Sequence, residues 1–425
     1  MGHSAHDLID FLEASPSPLH CVAEVVARLE AAGFSRVEDD AEDAPVAAGD
    51  RGFGFRDGTL VAWHVGTDAP DSTGFRMLGA HTDSPNLRLK PKAEYAKDGY
   101  LQWGVEVYGS PILATWADRD LGLAGSVSCV LDGEVVQRLI RVDEPIARIP
   151  NVAIHYNREV NSKGLLLNAQ KHLPVVVGQG ENGALMRLLA EAADCPEESI
   201  KGWDLGLFDL QSPRIGGLDD EFIFSARLDN QYSCYTVLEG FLSQKTTASS
   251  TSVIVLFDHE EVGSRSDHAA GSVYLQTFLE RLVRNHPDSK PGGFRRAMAK
   301  SFMVSSDMAH GVHPNYPDYH DAQHKPALNA GPVIKTNVGM SYATDGETAA
   351  RFRWACEQEG VPFQDHIHRT DLRCGSTVGP IVASGLAVRT VDVGAAMLSM
   401  HSIREQAGMK DVEALVAVFR RLLES

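Results

Sequence analysis

The apolar run Ser252-Val-Ile-Val-Leu-Phe257, followed at once by Asp258-His259-Glu260-Glu261, decides the fold. A short apolar run that ends in charged side chains is typical of a central strand covered on both faces. Similar runs, also leading into polar clusters, lie at residues 75–79, 301–305 and 387–391. Helical stretches such as residues 231–242 and 412–423 alternate with them. The sequence therefore predicts an α/β fold with a mostly parallel central sheet flanked by helices.

Residues 87–219 have a different pattern. Residues 100–108, 125–131 and 135–142 are typical of antiparallel strands, and Asp132-Gly133 is a hairpin signal. We therefore predict a β-rich domain at residues 87–219, inserted into an α/β domain that is formed by residues 1–86 and 220–425.

Charge and composition restrict the possible partners. The 425 residues carry 57 acidic and 39 basic side chains, for a formal net charge of -18. Nucleic acid and anionic membrane surfaces need clustered cations, so neither is an expected partner. No run approaches the about 20 apolar residues that span a bilayer, and no secretory signal pattern is present. The six cysteines form no C-x-x-C pair, which favours a reducing cytoplasm and six small buried thiols.

The pair Glu260-Glu261 offers two carboxylates at a predicted strand end. Such carboxylates also serve the N-terminus of a following helix, and the pair alone does not separate the two interpretations. The catalytic interpretation divides the work, because one carboxylate binds a metal ion while the other accepts a proton.

The other candidates are each ambiguous alone. His81 and Asp83 point the same way in an extended chain, so Asp83 could orient a metal-binding His81, but a lone H-x-D pattern is more often a polar loop. Asp229 precedes a helical run, where an N-cap is the usual explanation. His401 is uninformative by itself, and we predict that His366 and His368 lie on the surface. Taken together, the strand-end residues supply a mixed nitrogen and oxygen donor set suited to zinc, manganese or cobalt.

Six motifs in order resemble the aspartyl aminopeptidase family. They are His81-Thr-Asp-Ser-Pro85 with Lys90-Pro91, Asp258-His-Glu-Glu-Val-Gly263, Ser306-Asp-Met-Ala-His-Gly-Val-His-Pro-Asn-Tyr316, Gly331-Pro-Val-Ile-Lys335, Cys374-Gly-Ser-Thr-Val-Gly-Pro380 and Met400-His-Ser402. The resemblance covers nearly the whole chain and is loosest at residues 34–50.

The resemblance assigns a role to each matching position. It implies two divalent metal ions per chain, zinc first, with cobalt or manganese as alternatives. Asp229 would bridge both ions, His81 and Asp307 would complete one site, and Glu261 and His401 the other. Glu260 would be the general base, and Asp83 would orient a histidine ligand. The implied substrate contacts are His155, supplied by the inserted domain, and His310, Lys335 and Tyr342.

The implied activity is that of a metallo-aminopeptidase. It would hydrolyse the N-terminal peptide bond of peptides that begin with Asp or Glu, using a metal-bridged water activated by Glu260. The family also assembles as a tetrahedral homo-dodecamer built from dimers, so the inserted domain is expected to dimerise. A broader or neutral-residue aminopeptidase, another two-metal hydrolase such as a deacylase, and a non-enzymatic shell protein remain the alternatives. The last is disfavoured because no ligand or base is missing.

Overall fold

The strand predicted at residues 252–257 lies inside a nine-stranded sheet. The structure is a computed structural model that describes residues 5–41 and 44–425. The strands of these residues are, in chain order, β1 (Ser35–Arg36), β2 (Arg51–Arg56), β3 (Thr59–His64), β4 (Phe75–His81), β5 (Asn86–Lys97), β6 (Tyr100–Tyr108), β7 (Leu121–Leu131), β8 (Glu134–Ala147), β9 (Val175–Gln179), β10 (Ile200–Asp209), β11 (Arg214–Gly216), β12 (Phe222–Ser225), β13 (Thr251–Phe257), β14 (Phe302–Ser306), β15 (Ala309–His310), β16 (Val333–Lys335), β17 (Gln364–His366), β18 (Arg389–Gly394), β19 (Ala396–Leu398) and β20 (Glu405–Gly408).

Helices alternate with the strands of the central sheet. In the same described ranges they are α1 (Ala5–Ala14), α2 (Pro18–Ala31), α3 (Pro70–Thr73), α4 (Val160–Lys163), α5 (Ala169–His172), α6 (Ala184–Ala193), α7 (Leu228–Leu242), α8 (Tyr274–Asn285), α9 (Gly293–Lys300), α10 (Gly346–Glu359), α11 (Val378–Leu386) and α12 (Lys410–Leu423). None of the helices in the described residues is long and apolar enough to cross a membrane.

The central sheet has the order β1-β2-β3-β13-β4-β14-β18-β16-β17. Its middle strands β13, β4, β14 and β18 run parallel. Successive side chains of β13 enter two different cores: Ile254 packs on the side of α7 and α12, and Val253 packs on the side of α8 and α9. Burying an aliphatic side chain of this size stabilises the fold by about 1.5–3 kcal/mol. Because both faces of β13 are buried, apolar side chains are favoured at every position of the strand. The predicted α/β class is confirmed.

A second sheet follows the order β8-β7-β10-β5-β6-β9, and all its pairs are antiparallel. The hairpin signal is confirmed, because Leu131 pairs with Glu134 across the turn. Asp132 (φ 51°) and Gly133 (φ 85°) both take the positive φ values of such a turn. The sheet has its own core around Trp103, Leu123 and other side chains. The inserted β-rich domain is therefore present, while its limits at residues 87 and 219 stay a prediction.

A third, five-stranded sheet has the order β11-β12-β20-β19-β15. Its strand β12 ends at Ser225, shortly before Asp229, and His401 lies in the connection between β19 and β20. Because β12 pairs directly with β20, these two distant parts of the chain meet beside the central sheet.

The cysteines are all free. Cys21, Cys129, Cys234 and Cys356 are buried, as predicted, whereas Cys195 and Cys374 are half-buried. The Sγ atoms of Cys129 and Cys195 lie 2.8 Å apart in the inserted domain.

Candidate metal centre

The carboxyl ends of neighbouring parallel strands bring the predicted residues together. His81 is the last residue of β4 and is paired with Phe257 of β13. The turn with Glu260 and Glu261 follows β13, and Asp307 directly follows β14 on the other side of β4. Parallel strands end at the same edge of a sheet, which is where ligands bind in open α/β folds.

Asp229 lies between two imidazoles. Its Oδ1 is 3.5 Å from Nε2 of His81, and its Oδ2 is 3.2 Å from Nε2 of His401. Each carboxylate oxygen therefore faces a different histidine. This is the arrangement expected of a carboxylate shared by two ions.

Each histidine has a second carboxylate nearby. Oδ1 of Asp307 is 3.8 Å from Nε2 of His81, and Oε1 of Glu261 is 3.4 Å from Nε2 of His401. The ligand atoms of His81, Asp229 and Glu261 lie within 4.8 Å of one another. The five predicted ligands thus divide into two groups that share Asp229.

The charge balance of the centre favours bound cations. His81 and Asp229 are almost fully buried, and Oδ1 of Asp229 accepts no hydrogen bond among the described residues. An unpartnered buried carboxylate oxygen costs free energy unless a cation or donor satisfies it. The donor set of two imidazoles and three carboxylates fits zinc, cobalt or manganese.

The pKa values of the two glutamates are consistent with this need. Burial, supported by the nearby charge of Asp307 and opposed by His81, raises the pKa of Glu260 to about 9. Burial also raises the pKa of Glu261 to about 7, although its contact with His401 opposes the shift. Divalent ions at the centre would favour the ionised carboxylates, because a bound cation is the largest local charge.

Asp83 connects His81 to the turn that carries the two glutamates. Its Oδ1 lies 3.3 Å from Nδ1 of His81 and accepts the N–H of Glu260 at 3.2 Å. Its Oδ2 accepts the N–H of Glu261 at 3.1 Å and the hydroxyl of Tyr108 at 2.7 Å. A carboxylate on the second nitrogen of a ligating histidine fixes the ring and its tautomer. Tyr108 was not predicted as a site residue. Through its hydrogen bond to Asp83, the inserted domain contacts the metal centre.

Glu405 is a further residue that sequence reasoning missed. Its Oε2 accepts the N–H of Asp229 at 3.1 Å, and its Oε1 accepts the N–H of His401 at 2.8 Å. The side chain is buried. Glu405 therefore fixes the backbone of two predicted ligands that are far apart in the chain. The only signal in the sequence was its place four residues after His401.

Lys335 and Tyr342 lie beside the centre. Nζ of Lys335 is 3.4 Å from Oδ2 of Asp307, donates to the carbonyl of Met308 at 3.3 Å, and lies 5.2 Å from the centroid of the Tyr342 ring. Lys335 is only 1% exposed, so it is not a surface lysine.

His310 lies on β15, shortly after Asp307, in a cluster of histidines. Its ring centroid is 5.9 Å from that of His366 and 5.4 Å from that of His368. The predicted surface position of His366 is wrong: it is 3% exposed, because strand β17 carries it under the segment that bears His310 and His320. His368 is half-buried.

His155 is the exception among the predicted residues. It is exposed, in the segment between β8 and α4. Among the described residues, His155 makes no hydrogen bond or ion pair with the residues of the metal centre, so this chain alone does not bring it to the other candidates.

The sequence profile of the aminopeptidase I zinc metalloprotease (M18) family matches residues 11–422. A "probable M18 family aminopeptidase 2" of Pseudomonas aeruginosa strain UCBPP-PA14 is 47% identical over 419 residues, which are 97% of this chain and 96% of that protein. The protein of the same description from Pseudomonas syringae pv. syringae is 46% identical, with the same coverage.

Solved structures are similar over nearly the whole chain. A chain in the cryo-EM structure of the Ape4 and Nbr1 complex is 35% identical, with a TM-score of 0.95, over 99% of this chain and 85% of that one. A chain of the S. cerevisiae mApe1 dodecamer is 26% identical, with a TM-score of 0.86, over 98% of this chain and 95% of that one.

Proposed function

This chain belongs to the aminopeptidase I zinc metalloprotease (M18) family, and on that premise we propose that it removes Asp and Glu residues from the N-termini of peptides. Membership makes it a metallo-aminopeptidase and therefore a hydrolase. The acidic specificity goes further, and one observation carries it: a buried cation, Lys335, lies beside the centre of a protein with a net charge of -18.

The position of Lys335 supports this specificity in physical terms. An ammonium group has three donors, and its described contacts with Asp307 and Met308 occupy two of them. The third can donate to a substrate carboxylate, forming a charge-assisted hydrogen bond in a site that excludes most solvent. Elsewhere the acidic surface repels such a substrate.

The proposed cofactor is a pair of divalent ions, zinc first. Asp229 would bridge them, with His81 and Asp307 at one ion and Glu261 and His401 at the other. Bound ions of this kind polarise a carbonyl group and lower the pKa of water. The unpartnered oxygen of Asp229 and the crowding of carboxylates support the pair.

Glu260 is the proposed general base. Its Oε2 lies 4.0 Å from Nε2 of His81, so its carboxylate faces the centre. Its carboxylate would accept the proton of the attacking water and then donate it to the departing amine. Asp83 would hold the turn that carries Glu260. Tyr342 and His310 would contact the substrate and orient it.

Assembly completes the proposal. A related protein of known structure, S. cerevisiae mApe1, is a dodecamer, and we propose the same state here, built from dimers in the cytoplasm. The inserted domain, at residues 87–219, would form the dimer contact. The exposed His155 would then act in the pocket of a neighbouring subunit, which accounts for its position away from the centre of its own chain.

A panel of aminoacyl substrates tests the function. After metal removal and reconstitution with zinc, cobalt or manganese, we expect substrates with N-terminal Asp and Glu to be hydrolysed more efficiently than those with Ala or Leu. Comparable or higher efficiency on neutral residues would instead favour the broader aminopeptidase, and hydrolysis confined to acylated amines would favour a deacylase.

A further inference from the structure

A second group of metal-ligating side chains lies behind the Glu260 turn. Asp258, His259 and His268 each offer a ligand atom, and these atoms lie within 4.8 Å of one another. The same spacing joins His81, Asp229 and Glu261 in the centre already described. None of the three residues has a part in the proposed reaction.

Within the described ranges, the Nε2 atom of His268 has no partner and is available to bind a ligand. Its Nδ1 lies 2.8 Å from Oδ1 of Asp267. A carboxylate can only accept, so Nδ1 carries the proton and Nε2 keeps its lone pair. This Nε2 is buried and has no hydrogen-bond partner in the described part of the chain, and His268 is only 5% exposed. A carboxylate on one nitrogen and a free lone pair on the other is the usual state of a metal-binding histidine.

His259 and Asp258 complete the set. Nδ1 of His259 is 2.9 Å from the hydroxyl of Ser266, and its Nε2 is 3.9 Å from Oδ2 of Asp258. Oδ1 of Asp258 accepts the N–H of His259 at 2.8 Å, which leaves Oδ2 for another partner. A Cβ atom at Gly58 would overlap this carboxylate, so the glycine leaves room for it.

The three side chains open onto a cavity of about 230 Å³ between the α/β domain and the inserted sheet. This volume admits an ion together with water ligands. Asp57 and Asp204 add negative charge to the wall, and Arg88 opposes them. The guanidinium of Arg88 lies 3.7 Å from the centroid of the Tyr108 ring, which engages part of its charge.

We propose that Asp258, His259 and His268 bind a further divalent ion of the zinc type, outside the aminopeptidase centre. Two imidazoles and one carboxylate form a donor set that suits zinc or cobalt and leaves positions for water. The ion would tie the turn after β13 to the segment that carries His268. This site goes beyond the proposed function, because its ion would neither bind the substrate nor activate the general base.

Zinc stoichiometry tests the site. Metal-free protein is dialysed against excess zinc alone, and bound zinc per chain is measured for the wild type, His268→Gln and the control His64→Gln, which changes a buried histidine of β3. We expect one equivalent fewer in His268→Gln than in the wild type, and no loss in His64→Gln. Equal zinc in His268→Gln and the wild type would overturn the proposal, and so would an equal loss in the control.

Two further measurements separate this site from the catalytic centre and from a folding defect. The one-equivalent difference should persist when both proteins also carry Asp229→Ala, whatever number of ions the catalytic centre holds. Zinc-edge anomalous diffraction from wild-type crystals should show a peak among the three side chains. A map at saturating zinc without that peak would overturn the proposal, even if His268→Gln failed to fold.

Discussion

The ammonium of Lys335 and the carboxylate of Asp307 face each other across 3.4 Å, with the lysine almost fully removed from solvent. Asp307 is also a proposed metal ligand, 3.8 Å from His81. The same carboxylate therefore links the group proposed to recognise the substrate to the group proposed to bind the metal. A change at Lys335 could therefore alter both substrate specificity and metal content. Both must be measured to tell the two effects apart.

Lys335→Ala should lower the catalytic efficiency on N-terminal Asp and Glu by about 30-fold or more, because removing one partner of a buried charged pair costs about 2–5 kcal/mol. Ala and Leu substrates should be spared or improved. The measurement is the ratio of kcat/KM for Asp over Leu substrates, with metal content determined alongside. Lys300→Ala, on α9, is the control and should keep the wild-type ratio. An unchanged ratio in Lys335→Ala would show that this lysine does not recognise the side chain.

Glu260→Gln should lower turnover by about 10²–10⁴-fold, the usual contribution of general acid–base catalysis. The amide keeps the shape of the side chain but cannot accept the proton. Metal content, measured by elemental analysis, should stay near that of the wild type. Loss of metal in Glu260→Gln, with retention in Glu261→Gln, would mean that the two roles are reversed.

Asp229→Ala should disturb both proposed metal sites, because each oxygen of Asp229 faces a different histidine. Elemental analysis should find about two fewer tightly retained ions per chain in the variant than in the wild type. In the wild type, chelation should abolish activity, and zinc, cobalt or manganese should restore it. Full activity with a single retained ion at the centre would count against the bridged pair.

Glu405→Gln should weaken metal binding by about 10–100-fold, the typical effect of changing a group that orients a ligand. The substitution replaces one carboxylate oxygen with an amide nitrogen that can only donate, so one of the N–H groups of Asp229 and His401 loses its acceptor. Competition with a chelator of known affinity measures the change. Glu424→Gln, near the C-terminal end of α12, is the matched control. Unaltered affinity in Glu405→Gln would limit Glu405 to a structural role.

Mixing two inactive variants should restore activity if His155 acts in a neighbouring subunit. His155→Ala chains lack the donated histidine, and Glu260→Gln chains lack the base. Subunits exchanged between them form some pockets with both groups intact. Activity should appear only after co-assembly, as checked by sizing and light scattering. A fully active wild-type monomer would contradict the proposal.

The positions that the sequence predicted best are those next to long apolar strands. His81 ends β4, while Glu260 and Asp307 come shortly after β13 and β14. Burial on both faces of each strand leaves a clear apolar run in front of these residues. Adjacency of parallel strand ends then follows from the fold class itself. Asp229 had no such signal, because its sequence context is that of a helix N-cap.

Other features depend on contacts that a sequence does not display. Glu405 reaches Asp229 only because β12 and β20 pair across the third sheet. His366 looked like a surface residue, since nothing local shows that the segment of His310 and His320 covers it. The group of Asp258, His259 and His268 was hidden in the same way, because His268 returns to the turn after a loop of irregular backbone.

The spread of the centre along the chain also has a consequence for synthesis. Its proposed ligands run from His81 to His401, and Glu405, which fixes the backbone of Asp229, comes later still. A ribosome releases these residues in order, from the N-terminal end. A nascent chain therefore displays His81 and the acidic residues of the centre long before His401 and Glu405 emerge. We expect a peptidase of this layout to stay inert while it is being made, and so to spare the newly exposed N-termini around it.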